Sequence, residues 1–116
     1  MNPRLEAVTI DCHDKHALAQ FWCTLLGTTV RGEFGQYLGL RPTADGHPRL
    51  IFQQVEELAQ GRSRAHLDLE CEDVDADAAR AIGLGATLVQ DVEDLGLRWK
   101  VLADPEGNLF CLVPMG

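Results

Sequence analysis

The stretch "RAHLDLECEDVDA", residues 64–76, sets one histidine and two carboxylates on alternate positions: His66, Asp68 and Glu70. A period of two is that of a β-strand, whose side chains point to opposite faces in turn. Leu67, Leu69 and Cys71 then share one face, and His66, Asp68 and Glu70 the other. An imidazole beside carboxylates can move a proton near neutral pH, orient a polar ligand, or take part in a metal site. Strands ordinarily turn such groups to water, so the chemistry depends on what covers this face. The alternative is a structural histidine, locked by Asp68 or a backbone carbonyl.

The pattern occurs twice. "VTIDCHD" (8–14) can be laid on "LDLECED" (67–73). After the first copy, Ala17, Leu18, Phe21, Trp22, Leu25 and Leu26 recur at helical spacing, from a cap near Asp14 to Gly27. After the second, Val74, Ala78, Ala79 and Ile82 do so, from Asp73 or Asp75 to Gly83 or Gly85. Then "LGTTV" (26–30) and "LGATLV" (84–89) each lead from a glycine stop into a β-branched strand. Each half closes as a hairpin, with "ADGHP" and "DPEGN" as the turns.

The expected unit is strand, helix and three strands, used twice within a single domain of 1–116: module one at about 1–55, a linker "EELAQGRSR" at 56–64, and module two at 65–116. The fold class is α+β. One helix covers only one face of a four-stranded sheet. Two βαβββ modules forming a curled mixed sheet would enclose the other face as a central cleft. Ala7, Thr9 and Asp11 occupy that face in module one, opposite in role to Val8, Ile10 and Cys12. On this reading the polar face looks inward.

Composition bounds the function. The 116 residues are 46% hydrophobic and 24% charged, enough to bury a core without disulfides. The net charge of −8, with no Lys/Arg cluster, argues against nucleic acid and anionic membranes as partners. It would favour a cationic ligand, although acidity also serves solubility. Cys12, Cys23, Cys71 and Cys111 form no C-x-x-C pair and sit in apolar patterns, as thiols buried in a reducing cytoplasm would. "MNPRLEAVTID" has no apolar signal core, and a cytoplasmic location is expected.

The doubled unit resembles the vicinal oxygen chelate superfamily of glyoxalases, extradiol dioxygenases and bleomycin-resistance proteins. Carrying the resemblance are "AVTIDCHDKHALAQFWCTLLG" (7–27), "HLDLECEDVDA" (66–76) and "VLADPEGNLFCLV" (101–113), with "FW" and "HLDL" similar to the small bacterial glyoxalase-like domains. It implies paired βαβββ modules around a cup-shaped cavity. In the family's metalloenzymes the ligands, typically His and Glu, come from the start of each first strand and from each last strand. His66 matches such a position, its module-one counterpart is Ala7, Cys111 stands where Glu is usual, and the remaining position falls on Ile51 or Gln53. His66 with Cys111 is a poor set for Mg²⁺ or Mn²⁺; zinc would tolerate it if Asp68 or Asp11 completed the coordination.

The expected activity is therefore metal-free binding of a small apolar or aromatic organic ligand, a cationic one being favoured by the net charge. His66, Asp11, Asp68, Phe52, Gln53, Trp99 and Cys111 would line the cleft, beside Val113. No cofactor is expected. The competing reading is a glyoxalase-like lyase, isomerase or dioxygenase whose divalent metal, held by His66 and Cys111, stabilises an enediolate. A third is a scaffold with a collapsed cavity. Tyr37 and Trp99 lie on hairpin strands whose facing the pattern leaves open, and a homodimer is expected from the sheet edges.

Overall fold

Asp14 and Asp73 stop a strand and start a helix at equivalent places. Asp14 has extended backbone, and its carboxylate accepts from the His16 and Ala17 amides, both at 3.1 Å. Asp73 accepts from the Ala76 amide at 3.0 Å. Each cap satisfies donors that a helix start otherwise leaves without a partner. The computed structural model describes residues 2, 4–58 and 65–115. Most of the expected linker, 59–64, lies outside them.

The chain divides into two units, 1–59 and 60–116. The first runs β1 (Ala7–Cys12), α1 (Lys15–Leu26), β2 (Val30–Phe34), β3 (Tyr37–Leu40) and β4 (Arg49–Gln54). The second runs β5 (Leu67–Cys71), α2 (Val74–Gly83), β6 (Thr87–Asp94), β7 (Leu97–Ala103) and β8 (Leu109–Pro114). Strand order is β1-β4-β3-β2 in one sheet and β5-β8-β7-β6 in the other, with only β1/β4 and β5/β8 parallel. The βαβββ unit is thus used twice, as two mixed sheets. Gly27 ends α1 at φ 73° with its amide on the Cys23 carbonyl, the left-handed stop that glycine takes at least cost. Both second strands carry a register shift, at Val30/Gly32 and at Leu88/Gln90. The β7–β8 turn is held by Asp104, whose Oδ1 accepts from the Glu106 and Asn108 amides at 2.9 Å.

Each helix covers one sheet face. In the first unit Leu18, Phe21 and Trp22 are buried with Cys12, Leu38, Leu40 and Phe52, and Phe21 meets Trp22 edge-on at 5.2 Å. In the second Ala78 and Ala81 are buried with Cys71, Leu102, Phe110 and Leu112. Phe52 corrects an expectation. It is in register with Ile10 and Leu38 and 0% exposed, so it belongs to the helix-side core and not to a ligand face. An aromatic ring there fills the sheet–helix interface, where burial of its apolar area stabilises the fold.

A lysine ties each helix to its hairpin. Lys15 bonds Glu33 at 2.8 Å and the Gly35 carbonyl, while His16 reaches Glu33 at 3.0 Å. The nearly buried Lys100 pairs with Asp91 and lies 3.5 Å from Asp75 in α2. Hydrogen bonds from Lys15, then His16, hold Glu33 below its ordinary value, and Lys100 does the same for Asp91. Burial foremost, with a hydrogen bond to and the charge of Asp77, pushes the Cys71 thiol up to about 11. Cys71 is therefore a neutral thiol at neutral pH.

Two outcomes follow. Trp22 is 0% exposed, so Trp22→Ala should cost about 3–5 kcal/mol in urea unfolding; a midpoint that barely moves would mean the helix faces the other way. Because the Glu33 pKa is lowered on folding, its stabilisation is complete above about pH 4.5 and is lost as pH falls through the lowered value. Melting temperatures of wild type and Glu33→Gln should therefore converge on acidification; a gap constant from pH 6 to 3 would contradict the ion pair.

Candidate functional site

The helix-free face of the second sheet follows from its register. Asp68 pairs with Cys111, Glu70 with Val113, and Cys111 with Val101. Alternation along β7 places Trp99 on the same face as Val101, and Trp99 is half-buried there. His66, immediately before β5, joins them. One ligand atom from each of His66, Asp68 and Cys111 falls within 4.8 Å of the others. His66 Nε2 lies 3.4 Å from Asp68 Oδ1, with side chains 48% and 60% exposed, whereas Cys111 is buried. The sequence-expected residues of module two are thus brought together.

The first sheet has the corresponding face but different chemistry. Ala7 pairs with Arg49, Thr9 with Ile51 and Asp11 with Gln53. Thr9 corresponds to Asp68 in the repeat, so the register makes Ile51, not Gln53, the counterpart of Cys111. Where module two has His66, Asp68 and Cys111, module one has Ala7, Thr9 and Ile51. A concavity of about 500 Å³ lies on this face, lined by Thr9, Ile51, Phe34, Tyr37, Arg31 and Arg49 among others. Asp11 and Gln53 share the face; Phe52 does not.

Arg31, Phe34, Gly39 and Arg49 are the residues that the pattern of the sequence does not single out. One signal points at them: Gly39 stands alone inside a strand, which marks a close approach by another group. That group is Arg49. A Cβ added at Gly39 would sit 2.5 Å from Arg49 Nη1.

The model of the family described as "Glyoxalase-like domain" matches residues 7–113. The chain belongs to this glyoxalase-like family. No curated protein sequence matches it. Among solved structures, a glyoxalase/bleomycin resistance protein/dioxygenase family enzyme from Burkholderia phytofirmans PsJN is 23% identical, with 97% of this chain and 98% of that one covered at a TM-score of 0.83. The fosfomycin resistance protein FosX from Listeria monocytogenes is 16% identical, with 100% and 96% covered and a TM-score of 0.81. A mutant of that FosX complexed with Mn(II) and 1S,2S-dihydroxypropylphosphonic acid gives 19% identity, 97% and 90% coverage and a TM-score of 0.80. At such identities the likeness is one of fold.

Does this glyoxalase-like domain offer a divalent metal a site? Mn²⁺ prefers oxygen ligands, and the cluster supplies one carboxylate, one imidazole and one thiol. That set does not fit a hard ion. It does fit zinc, which accepts nitrogen, sulfur and oxygen donors in fourfold coordination; His66, Asp68 and Cys111 would hold it, and it would act there as a Lewis acid. Module one's matching positions, Ala7 and Ile51, offer no donor. No helix of the described residues is long and apolar enough to cross a membrane.

If the cluster takes zinc, the purified protein should bind about one equivalent in a calorimetric titration, and both His66→Ala and Cys111→Ser should abolish it while Mn²⁺ gives no heat. Tight Mn²⁺ binding lost with His66→Ala would overturn the donor argument.

Proposed function

We propose that this glyoxalase-like domain binds a small organic molecule, without a resident metal, on the helix-free face of a sheet. The observation that carries this reading is the concavity on the first sheet, whose wall combines Phe34, Tyr37 and Ile51 with a few polar groups. Its volume is within the range of small-molecule sites, and mostly apolar walls with sparse polar anchors are what such sites share. Trp99, Val101 and Val113 give the second sheet a comparable apolar surface beside His66 and Asp68. Those two side chains, already in contact with one another, would orient a ligand on that second sheet rather than hold an ion. The ligand classes are apolar or aromatic.

The second reading is a metal-dependent lyase, isomerase or dioxygenase of the glyoxalase type. It is favoured by the convergence of His66, Asp68 and Cys111 and by the Mn(II) complex of the FosX neighbour. The absence of a donor at Ala7 and Ile51 supports the metal-free reading instead. Elemental analysis of protein purified without chelator separates the two. Substoichiometric metal is expected; about one metal ion per chain, lost with His66→Ala, would reverse the order of the readings. We further infer a homodimer, because within its own sheet each of the edge strands β1, β2, β5 and β6 has a neighbour on one side only, and a cytoplasmic location, which the four free thiols favour.

Under the metal-free reading, His66→Ala should leave the fold intact, since the imidazole is about half exposed. Affinity for a ligand found by screening planar compounds against Trp99 fluorescence should fall by about 1–3 kcal/mol where the imidazole pairs with a buried polar group. A mutant that melts several degrees lower yet binds as wild type would make His66 a fold residue.

A further inference from the structure

We propose that the helix-free face of the first sheet recognises an aromatic carboxylate, with Arg49 and Arg31 holding the carboxylate and Phe34, Tyr37 and Ile51 holding the ring. This rests on the small-molecule reading above and names its ligand class. The chain is acidic overall, at −8, which on field strength alone favours a cation. The charge inside this concavity runs the other way. Two guanidinium groups line it, and the one carboxylate residue among its lining, Glu33, stands in register with helix-side Leu38 and is engaged by Lys15 and His16.

Arg49 is held ready. Its side chain is only 18% exposed, its Nε donates to Glu6 Oε1 at 3.3 Å, and its Nη1 lies over the bare backbone of Gly39. The contact with Glu6 uses the Nε side and leaves the paired Nη groups for a second acceptor. Any larger residue at position 39 would push the guanidinium off the sheet. A fork fixed this way loses little side-chain freedom when it binds a planar carboxylate. Arg31 sits at the β2 register shift, where a strand re-aims a side chain. Among the described residues its side chain makes no ion pair or hydrogen bond, so it can close on the same anion. Around them Phe34 is 85% and Tyr37 39% exposed, large apolar area that folding leaves in water. A flat ring with an anionic end matches both halves of this surface, whereas a cation would meet two guanidinium groups.

The test uses the full chain and three probes of one shape: cinnamate, cinnamyl alcohol and cinnamylammonium, titrated by amide NMR. Cinnamate should bind at least about tenfold more tightly than the alcohol. Shifts should centre on Thr9, Gly39 and Ile51. Arg49→Gln and Gly39→Ala should each remove the preference, leaving cinnamate no tighter than the alcohol measured in the same variant. Arg31→Gln, at an exposed position, should do the same in part and guards against loss of fold as the explanation. Equal binding of cinnamate and alcohol, tighter binding of the ammonium, or shifts centred on Asp68 and Trp99 would each overturn the proposal. Shifts on this face produced by concentration alone would give it to a second copy of the chain and also overturn it. If the alcohol binds here with no preference for the carboxylate, the ligand class is wrong and the small-molecule reading stands; if none of the three binds, both fall.

Discussion

A four-stranded sheet with a single helix can bury only one of its two faces, and the rest of this protein's organisation depends on that constraint. Alternation along β1, β4, β5 and β8 sorts every residue into helix-side or helix-free. Phe52, Phe110 and Leu112 go to the first class and, with Trp22 of α1, form the buried core. His66, Asp68, Cys111, Thr9, Ile51 and Arg49 go to the second, where no helix competes for them. The parallel pairing of the first and last strands within each unit sets which of them become neighbours, since Asp68 meets Cys111 only in this register.

Equivalent positions in the two units have taken different roles. The second sheet carries an imidazole, a carboxylate and a thiol where the first carries a methyl group, a hydroxyl and a branched alkyl chain. The imidazole and the soft thiol donor are thereby confined to the helix-free face of one sheet, and the other offers aromatic rings and guanidinium groups. The membership of the glyoxalase-like family fits both, because the fold supplies the faces and the side chains decide what they do.

Much of this is legible in the chain itself. The order βαβββ, twice, can be read from the repeat of 8–14 in 67–73, from Asp14 and Asp73 as caps, and from Gly27 as a stop, because each has a local physical cause. That His66 and Cys111 belong to one site is what the resemblance implies; that Asp68 and not Asp11 joins them comes from the β5–β8 register. Phe52 does not yield to the same reading. "RLIFQQV" has three apolar residues in a row, so alternation gives no parity, and only the pairing with Ile10 shows that Phe52 faces the helix. Trp99 and Tyr37 pose the same problem and fall on the helix-free side. Arg49 is harder still, since its position depends on a glycine ten residues away in sequence that happens to lie beside it in the sheet.

The lysine ties of the two units have a consequence for how a duplicated chain avoids confusing its halves. Glu33 and Asp91 occupy equivalent strand positions, but the cation that answers Glu33 comes from the helix, as Lys15, and the one that answers Asp91 comes from the sheet, as Lys100. Were α1 to dock on the second sheet, Lys15 would arrive where Lys100 already sits. Were α2 to dock on the first, Asp75 would face Glu33 with no cation between them. Like charges brought together repel, modestly at positions as exposed as these. The opposite wiring of two otherwise parallel ion pairs thus makes the charge of each helix complementary to its own sheet and not to the other.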